Sequence, residues 1–511
     1  MRDSSRAAPP STARRRLDAW AAPAVAVLYG VALAIFYPHS AFSLSPDEGF
    51  NAMKALLVDH HYRLNGQIWS DQPPLFTHLL RLWFTAFGAD VGAGRLLVLV
   101  FAALLLFAVY DVVQRSWNHV AALAAVVLLG LSTYFARLSL SLMIGIPSLA
   151  CAMLSLWALV RWYREGASRR YWLLASAALM AASLGIKLFT AFLVPIFALW
   201  LTAAAALRGQ RRPWQPALGW MLAVGALTTA LVLILAGPTG LDQLFAPHLA
   251  AHSADEFEHW RGYEVLRRTA PLDAPLVILA ALGTLLILSR RCWEMAMLPL
   301  WAGAALALLL PHVPFWYHHY LLLTTAAAPC AGVAVAAVLG TRRRIGAARD
   351  RAAPLALRVV GALALLLLAL TVPMSVRTKP PIAVVEWDRA RPILAAMQPY
   401  AGATTMVLTD SPIYAFQAGL PCVPELAVVS IKRMKTGNLL PANVLDALAG
   451  YAPEQVLLTD RFSAATVAAL QTAMRGRYAL VYSTATPPAR LYIRSDVVQQ
   501  AAQSNALTPG S

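Results

Sequence analysis

Long apolar runs recur along most of the chain and are separated by short polar stretches. A helix needs about 20 apolar residues to cross the hydrocarbon core of a bilayer. Runs that approach this length lie near 20–37, 95–113, 119–136, 140–160, 171–186, 189–207, 217–236, 275–289, 294–310, 318–339 and 355–373. The pattern predicts a polytopic α-helical membrane protein with about 11 transmembrane helices.

Composition and charge support this class and add an orientation. The 511 residues are 59% hydrophobic and 13% charged, whereas soluble domains have roughly 45–50% apolar and about 25% charged residues. The net charge of +17 comes mainly from arginines, which cluster at 14–16, 115, 161–170, 208–212, 290–291 and 342–351. Alternate threading places all these clusters on one side, which is the positive-inside pattern and argues against nucleic-acid binding as the reason for the charge. We therefore expect a multi-pass membrane protein with a cytoplasmic N-terminus; the family resemblance described below implies the bacterial inner membrane.

The same threading assigns the acidic and histidine-rich segments to the outer face. These segments are the loop 38–94, the turn near 185–187, the loop 237–274, the loop 311–319 and everything after about 374. Nucleotide-activated donors stay in the cytoplasm, so chemistry on the outer face fits a donor group that is carried by a lipid.

The chain is predicted to have three parts. Residues 1–18 form a cytoplasmic basic tail, 19–373 a transmembrane domain whose first outer loop is catalytic, and 374–511 an extracytoplasmic α/β domain. The last part alternates β-branched runs with helical stretches, as small α/β domains do. The runs lie near 406–408, 456–458, 480–482 and 491–493, and the helices near 383–398, 441–449 and 463–474. Asp410 and Asp460 follow two of these strands and are interpreted as helix caps.

Two adjacent acids in the first outer loop, Asp47 and Glu48, are the leading catalytic candidates. Glycosyl transfer needs a base to remove the proton of the acceptor hydroxyl. A carboxylate beside a bilayer is expensive to desolvate, which indicates a function. Asp47 suits the base, whereas Glu48 is expected to support the loop. The alternative is that both acids only favour the dipole of a helix at 47–58.

A third carboxylate, Asp71, precedes two prolines that hold the chain extended before a helix. It is either a catalytic carboxylate that shares a cavity with Asp47 or a helix N-cap. Arg95 is a candidate for substrate binding, although Arg81 and Arg95 have the alternative of pairing with the acids. Lys187, one of only five lysines in the chain, lies between two apolar runs, where it either binds a phosphate or extends to water.

Aromatic and histidine residues complete the candidate site. Tyr317, His318 and His319 close a short outer loop and either bind phosphate or sugar or belong to an interfacial aromatic belt. His248 and His252 are four residues apart, so they share a helix face, and His252 is a candidate for substrate contact. A metal site formed with the nearby Glu256 and Glu258 is the alternative, although the spacing alone is a weak indication. We expect no required cofactor, and a divalent cation has no support in the sequence.

These segments together resemble the GT-C glycosyltransferases that use polyprenyl-phosphate sugars, including protein O-mannosyltransferases and the aminoarabinose transferase of lipid A. The resemblance rests on the Asp47-Glu48 pair, on Asp71 with its prolines, on Gly94-Arg95, on 184–187 and on 317–322. It implies that Asp47 is the catalytic carboxylate and that Lys187 contacts the donor phosphate. Two departures are Gln72, where aminoarabinose transferases carry lysine, and Gly145, where relatives often carry an acid.

The sequence therefore predicts a metal-independent, inverting glycosyltransferase. It is expected to move one hexosyl or pentosyl group from a polyprenyl-phosphate carrier to a lipid, glycan or protein acceptor in the envelope. A transporter or lipid flippase is the main alternative, but transporters favour charged residues within their spans and internal repeats. A third interpretation is a non-catalytic membrane scaffold that displays residues 374–511.

Overall fold

The computed structural model describes residues 21–31, 46–165, 169–238, 241–252, 260–341, 355–378 and 385–507. The helices of these segments, in chain order, are α1 (Ala21–Val31), α2 (Pro46–Asp59), α3 (Leu75–Phe87), α4 (Val91–Ser116), α5 (His119–Gly130), α6 (Thr133–Ser139), α7 (Gly145–Glu165), α8 (Tyr171–Ile186), α9 (Leu193–Leu207), α10 (Gln215–Ala236), α11 (Leu241–His252), α12 (Gly262–Ser289), α13 (Met297–Leu309), α14 (Leu321–Val338), α15 (Leu355–Thr378), α16 (Val385–Met397), α17 (Pro412–Gln417), α18 (Ile431–Lys435), α19 (Pro441–Tyr451), α20 (Ala464–Met474) and α21 (Ser495–Leu507).

The apolar runs of the sequence coincide with helices, as the hydrophobic pattern predicts. Within the described segments, five helices are long and apolar enough to cross a membrane, and several shorter apolar helices accompany them. The five spans are Val91–Ser116, Gly145–Glu165, Leu188–Leu207, Gln215–Ala236 and His318–Val338. The protein is thus mostly helical with several apolar helices, while the count of 11 spans stays a prediction.

One expected span begins later than the hydrophobic pattern indicates. The run at 140–160 was expected to be helical from its beginning, but α7 begins only at Gly145. Three residues before this start, Leu142 has its backbone N–H and C=O bound by side chains of α2. Backbone groups that are satisfied in this way are not available for helix hydrogen bonds.

The C-terminal segment, residues 385–507, contains a four-stranded sheet and is called the tail below. Its strands are β1 (Val407–Thr409), β2 (Gln455–Leu458), β3 (Tyr478–Ala485) and β4 (Pro488–Arg494), in the order β1-β2-β4-β3. β1 and β2 are parallel, whereas β4 pairs antiparallel with both β2 and β3. The four strands and α16, α19 and α20 lie where the sequence predicts them. That residues 374–511 form a domain of their own stays a prediction.

The tail packs directly on α2. A Cβ atom added to Gly49 of α2 would lie 2.7 Å from Cβ and 2.8 Å from the backbone nitrogen of Ile413 at the start of α17. The backbone N–H of Cys422 donates to the sulfur of Met53, at 3.4 Å. Residues of β1, β4 and α17 belong to the same buried cluster as the membrane helices. The first turns of α2 are thereby enclosed between the membrane helices and the tail.

Candidate functional site

Helix α2 brings the leading candidates to the centre of the molecule. Asp47 and Glu48 lie in its first turn, as predicted, where acids interact favourably with the helix dipole. Asp47 and Lys54 are seven residues apart, which is two helical turns, so both lie on one face. Glu48 points to a different face, toward the membrane helices. The helix therefore assigns different surroundings to its two adjacent acids.

Glu48 is fully buried and bound by protein groups on both carboxylate oxygens. Arg95 donates to it twice, from Nε to Oε1 at 2.9 Å and from Nη2 to Oε2 at 3.0 Å. The backbone N–H of Leu142 donates to Oε1 at 2.8 Å. This geometry agrees with the supporting role expected for Glu48. It also shows the alternative for Arg95, in which the arginine pairs with an acid rather than with substrate; Arg81 likewise pairs with Asp59 at 3.2 Å.

Asp47 lies among cations from three parts of the chain. Burial raises the pKa of its carboxyl group above the usual value, and the charge of Asp71 raises it further. Lys187 and Arg461, and to a smaller extent Lys54, oppose this and lower the pKa. Desolvation favours the neutral form of an acid and neighbouring cations favour the charged form. Asp47 is thus a half-enclosed carboxyl group whose charge depends on its neighbours, as a catalytic acid or base requires.

Lys187 lines a cleft between membrane helices. It ends α8, and its Nζ lies 5.5 Å from the centre of the Phe189 ring. Burial lowers the pKa of this lysine to about 8, although Asp47 and Asp71 raise it. The lining of this cleft also includes Gly145, Ser148, Phe189, His318 and His319. A buried ammonium group that faces a cavity suits an anionic ligand.

Asp71 does not cap a helix, because α3 begins at Leu75 after Pro74. Its carboxylate is paired with Lys432 of α18, and both side chains are 12% exposed. His248 of α11 joins the pair: its Nε2 lies 3.2 Å from the backbone oxygen of Asp71, and its Nδ1 lies 3.2 Å from Nζ of Lys432. Burial by itself would raise the pKa of Asp71, but Lys432 and His248 lower it to about 2. Asp71 is therefore ionised, and it links the first outer loop to the tail.

Three of the cations that surround the two aspartates were not identified from the sequence. These are Lys54, Lys432 and Arg461. The seven-residue spacing from Asp47 would have indicated Lys54, since it places both residues on one helix face. Lys432 and Arg461 lie in the tail, where only the folded chain brings them to the first outer loop. Of the five lysines in the sequence, Lys54, Lys187 and Lys432 thus meet at one site.

The histidine segment borders the same cleft. The ring of His319 stacks on Phe189 with a centroid distance of 4.4 Å, and its Nδ1 accepts a hydrogen bond from the backbone N–H of Trp316 at 3.2 Å. His318 lies against His319, with ring centroids 4.4 Å apart. Tyr317 belongs to the same short helical turn. The structure thus brings this segment to Lys187, as the phosphate-binding interpretation requires.

His252 is not placed at the cleft: it ends α11, and its side chain lies outside the described residues.

Asp410 is not a helix cap, so that interpretation was wrong. Its carboxylate instead accepts hydrogen bonds from the loop that follows β2. In the described part of the chain, no group of three or more His, Cys, Asp or Glu residues could hold a metal ion.

The class of protein follows from comparisons with known folds. Residues 71–235 match the family model of dolichyl-phosphate-mannose-protein mannosyltransferases, a segment that contains Asp71 and Lys187 but begins after Asp47. No curated protein matches the sequence. The structure is similar to GT-C glycosyltransferases over nearly its whole length, so the chain has the GT-C fold of polytopic membrane proteins.

Among the similar structures is ArnT from Cupriavidus metallidurans. The crystal structure of ArnT bound to undecaprenyl phosphate matches with a TM-score of 0.59 and 15% identity, covering 94% of this chain and 98% of ArnT. The apo structure of ArnT matches with a TM-score of 0.61 and the same identity and coverage. The archaeal oligosaccharyltransferase AglB from Archaeoglobus fulgidus, in complex with an inhibitory peptide and a dolichol-phosphate, matches at 0.53 and 13%, covering 95% of this chain and 75% of AglB. The resemblance to mannosyltransferases and ArnT that the sequence indicates is confirmed.

Proposed function

We propose that the protein transfers a single hexosyl or pentosyl group from a polyprenyl-phosphate carrier to a hydroxyl group of an envelope acceptor. The observation that carries this proposal is the electrostatic interaction of Asp47 with Lys187, a cation that lines a cleft between membrane helices. A carboxylate and a cation at this position supply the two groups that the reaction needs. The carrier class is supported by ArnT and AglB, whose structures hold undecaprenyl phosphate and a dolichol-phosphate.

The transfer is a single displacement at the anomeric carbon of the sugar. The acceptor oxygen forms the new bond to this carbon while Asp47 takes the proton of the acceptor hydroxyl. The bond between the anomeric carbon and the phosphate oxygen breaks, and the carrier leaves as a polyprenyl phosphate. One displacement inverts the configuration of the anomeric carbon. No residue of the site needs to form a covalent intermediate.

Lys187 stabilises the leaving group in this scheme. The donor phosphate is a diester with one negative charge, and the product phosphate is a monoester that gains a second. A cation aimed at the oxygen where charge develops lowers the energy of the transition state more than that of the bound donor. With a pKa of about 8, Lys187 is charged at neutral pH.

The surroundings of the reaction are part of the proposal. The protein resides in the bacterial inner membrane with a cytoplasmic N-terminus, and it acts at the outer face on a lipid, glycan or protein acceptor without a metal ion. Residues 374–511 form an extracytoplasmic domain. Within the described residues, the side chains of Asp71, Lys432 and His248 pair with one another, and Asp47 is the carboxylate that interacts most strongly with Lys187.

The direct test replaces Asp47 by asparagine and measures sugar transfer. Asp47→Asn keeps the size of the side chain but cannot accept a proton, so transfer should fall roughly 10²–10⁴-fold. Asp59→Asn, at the other end of α2 and 54% exposed, is the matched control and should retain activity. The assay uses purified protein in detergent, a panel of undecaprenyl-phosphate sugars and an envelope lipid extract as acceptor, with thermal stability measured in parallel. A stable Asp47→Asn protein with normal transfer would remove Asp47 from the mechanism.

A further inference from the structure

A dense set of hydrogen bonds within the tail holds one of its loops against the first turn of α2, which carries Asp47 and is called the catalytic turn below. Asp410, at the end of β1, is fully buried. Its Oδ1 accepts from the backbone N–H and the hydroxyl group of Thr459, at 2.8 and 2.9 Å, and its Oδ2 accepts from the backbone N–H groups of Arg461 and Phe462, at 3.0 and 3.2 Å. The four hydrogen bonds that this buried carboxylate accepts fix the backbone of residues 459–462. The position from which the Arg461 side chain extends is therefore fixed as well.

Arg461 extends from this loop to α2. Its guanidinium carbon lies 5.7 Å from the centre of the Phe50 ring, and Phe50 is one helical turn from Asp47. Its Nε is buried and has no hydrogen-bond partner among the described residues. The close contact of Gly49 with Ile413 prevents the tail from shifting toward α2 at this point. Arg461 is thus held over the catalytic turn, and its Nε makes no hydrogen bond to a carboxylate among the described residues.

Asp47 is faced by charges from each element around it. Lys54 lies on its own helix α2, Asp71 on the loop before α3, Lys187 between α8 and α9, and Arg461 on the tail. Lys432, the other cation of the tail at this site, is paired with Asp71. Arg461 is therefore the charge that the tail contributes to Asp47 itself.

We propose that Arg461 is a positioning residue of the reaction: supplied by the tail on a loop that Asp410 fixes, it places a cation over the first turn of α2, where it favours the charged form of Asp47. The mechanistic consequence rests on the proposed function, in which Asp47 is the base. The electrostatic part does not, because it concerns only the protonation of one carboxyl group. The tail is then a component of the catalytic centre rather than an accessory to it.

The expected size of the effect follows from charge proximity. A cation within about 4–6 Å lowers the pKa of a carboxyl group by about 1–3 units. Lys187 and Lys54 remain when Arg461 is removed, so we expect the protonation midpoint of Asp47 to rise by about one unit. At a pH below the midpoint, one unit reduces the carboxylate fraction about tenfold.

The test measures the protonation of Asp47 without using activity. Carbodiimides react with protonated carboxyl groups, so the loss of the unmodified Asp47 peptide is followed by mass spectrometry between pH 4 and 9 (roughly the range in which shifted carboxyl groups titrate). Arg461→Ala should move the midpoint of labelling upward by about one unit. Arg461→Lys, which keeps the charge, should restore most of the shift. Arg475→Ala, an exposed arginine of the tail, should leave the midpoint unchanged.

A second measurement links the shift to the reaction. The acidic limb of the pH profile of kcat/KM should move with the labelling midpoint in Arg461→Ala and return in Arg461→Lys. An unchanged labelling midpoint in a folded Arg461→Ala protein would overturn the inference, whatever its activity. A shifted midpoint with an unshifted profile would keep the electrostatic role of Arg461 and refute Asp47 as the base. Should Arg461→Ala be unstable, Arg461→Gln gives the same comparison with more of the side chain retained.

Discussion

The pair formed by Asp71 and Lys432 gives the sharpest prediction about stability. Lys432→Met keeps most of the apolar stem of the lysine and removes the ammonium group. Asp71 and His248, which come from two other segments of the chain, then lose the group that joins them. Each side chain of the ion pair is only 12% exposed, so water replaces the lost interaction poorly.

The magnitude follows from the pKa of Asp71. The folded protein lowers this pKa from 3.8 to about 2, and each unit corresponds to about 1.4 kcal/mol. The ionised carboxylate therefore contributes about 2 kcal/mol to the free energy of unfolding. Because the folded pKa is the lower one, this contribution is complete above pH 3.8 and is lost as the pH falls toward about 2. Lys432 is the largest of the groups that lower this pKa, so Lys432→Met should lose most of this contribution at neutral pH.

A double-mutant cycle isolates this term. Lys432→Met, Asp71→Asn and the double variant are unfolded thermally in detergent at pH 7 and pH 8, where lysine and aspartate keep their charges. The coupling free energy between the two sites should be about 2 kcal/mol, so the double variant should be less destabilised than the sum of the two single variants. Lys435→Met, on the same short helix but exposed, is the control and should change stability by less than about 0.5 kcal/mol. Additive effects of Lys432→Met and Asp71→Asn would refute the reasoning.

Two further predictions concern the tail contact and the cleft. Gly49→Ala places a Cβ atom 2.8 Å from the backbone nitrogen of Ile413, so it should lower the free energy of unfolding by about 1–3 kcal/mol and reduce transfer. In the control Gly145→Ala, the added Cβ would meet no atom within 4 Å, so this variant should fold normally. Equal stability of the two variants would contradict the close packing of α17 on α2. The pKa of Lys187 at about 8 means that binding of undecaprenyl phosphate, followed by tryptophan fluorescence, should weaken as the pH rises above 8 and the ammonium group loses its proton. Lys187→Arg should remove this pH dependence, because arginine stays charged; the same decline in both proteins would assign it to another group.

The sequence by itself determined the elements of this protein. The length of its apolar runs predicts helices of a membrane protein, because a span needs enough apolar residues to cross the bilayer. Runs of β-branched residues and helical patterns predict the strands of the tail and three of its helices for an equally local reason. The first turn of α2, with Asp47 and Glu48, is likewise local, and so is the isolation of Lys187 between two apolar runs.

Only the tertiary structure decided which charges meet. Lys432 lies hundreds of residues from Asp71, and Arg461 lies as far from Asp47, so neither pairing has a signal in spacing or periodicity. The distinction between Asp47 and Glu48 has the same origin: adjacent residues on a helix point about 100° apart, and what they meet depends on the neighbouring elements. Glu48 forms an ion pair with Arg95, whereas Asp47 interacts with Lys187 and with Arg461 of the tail. Chemistry at this site is therefore a property of packing between distant segments, which local sequence patterns do not encode.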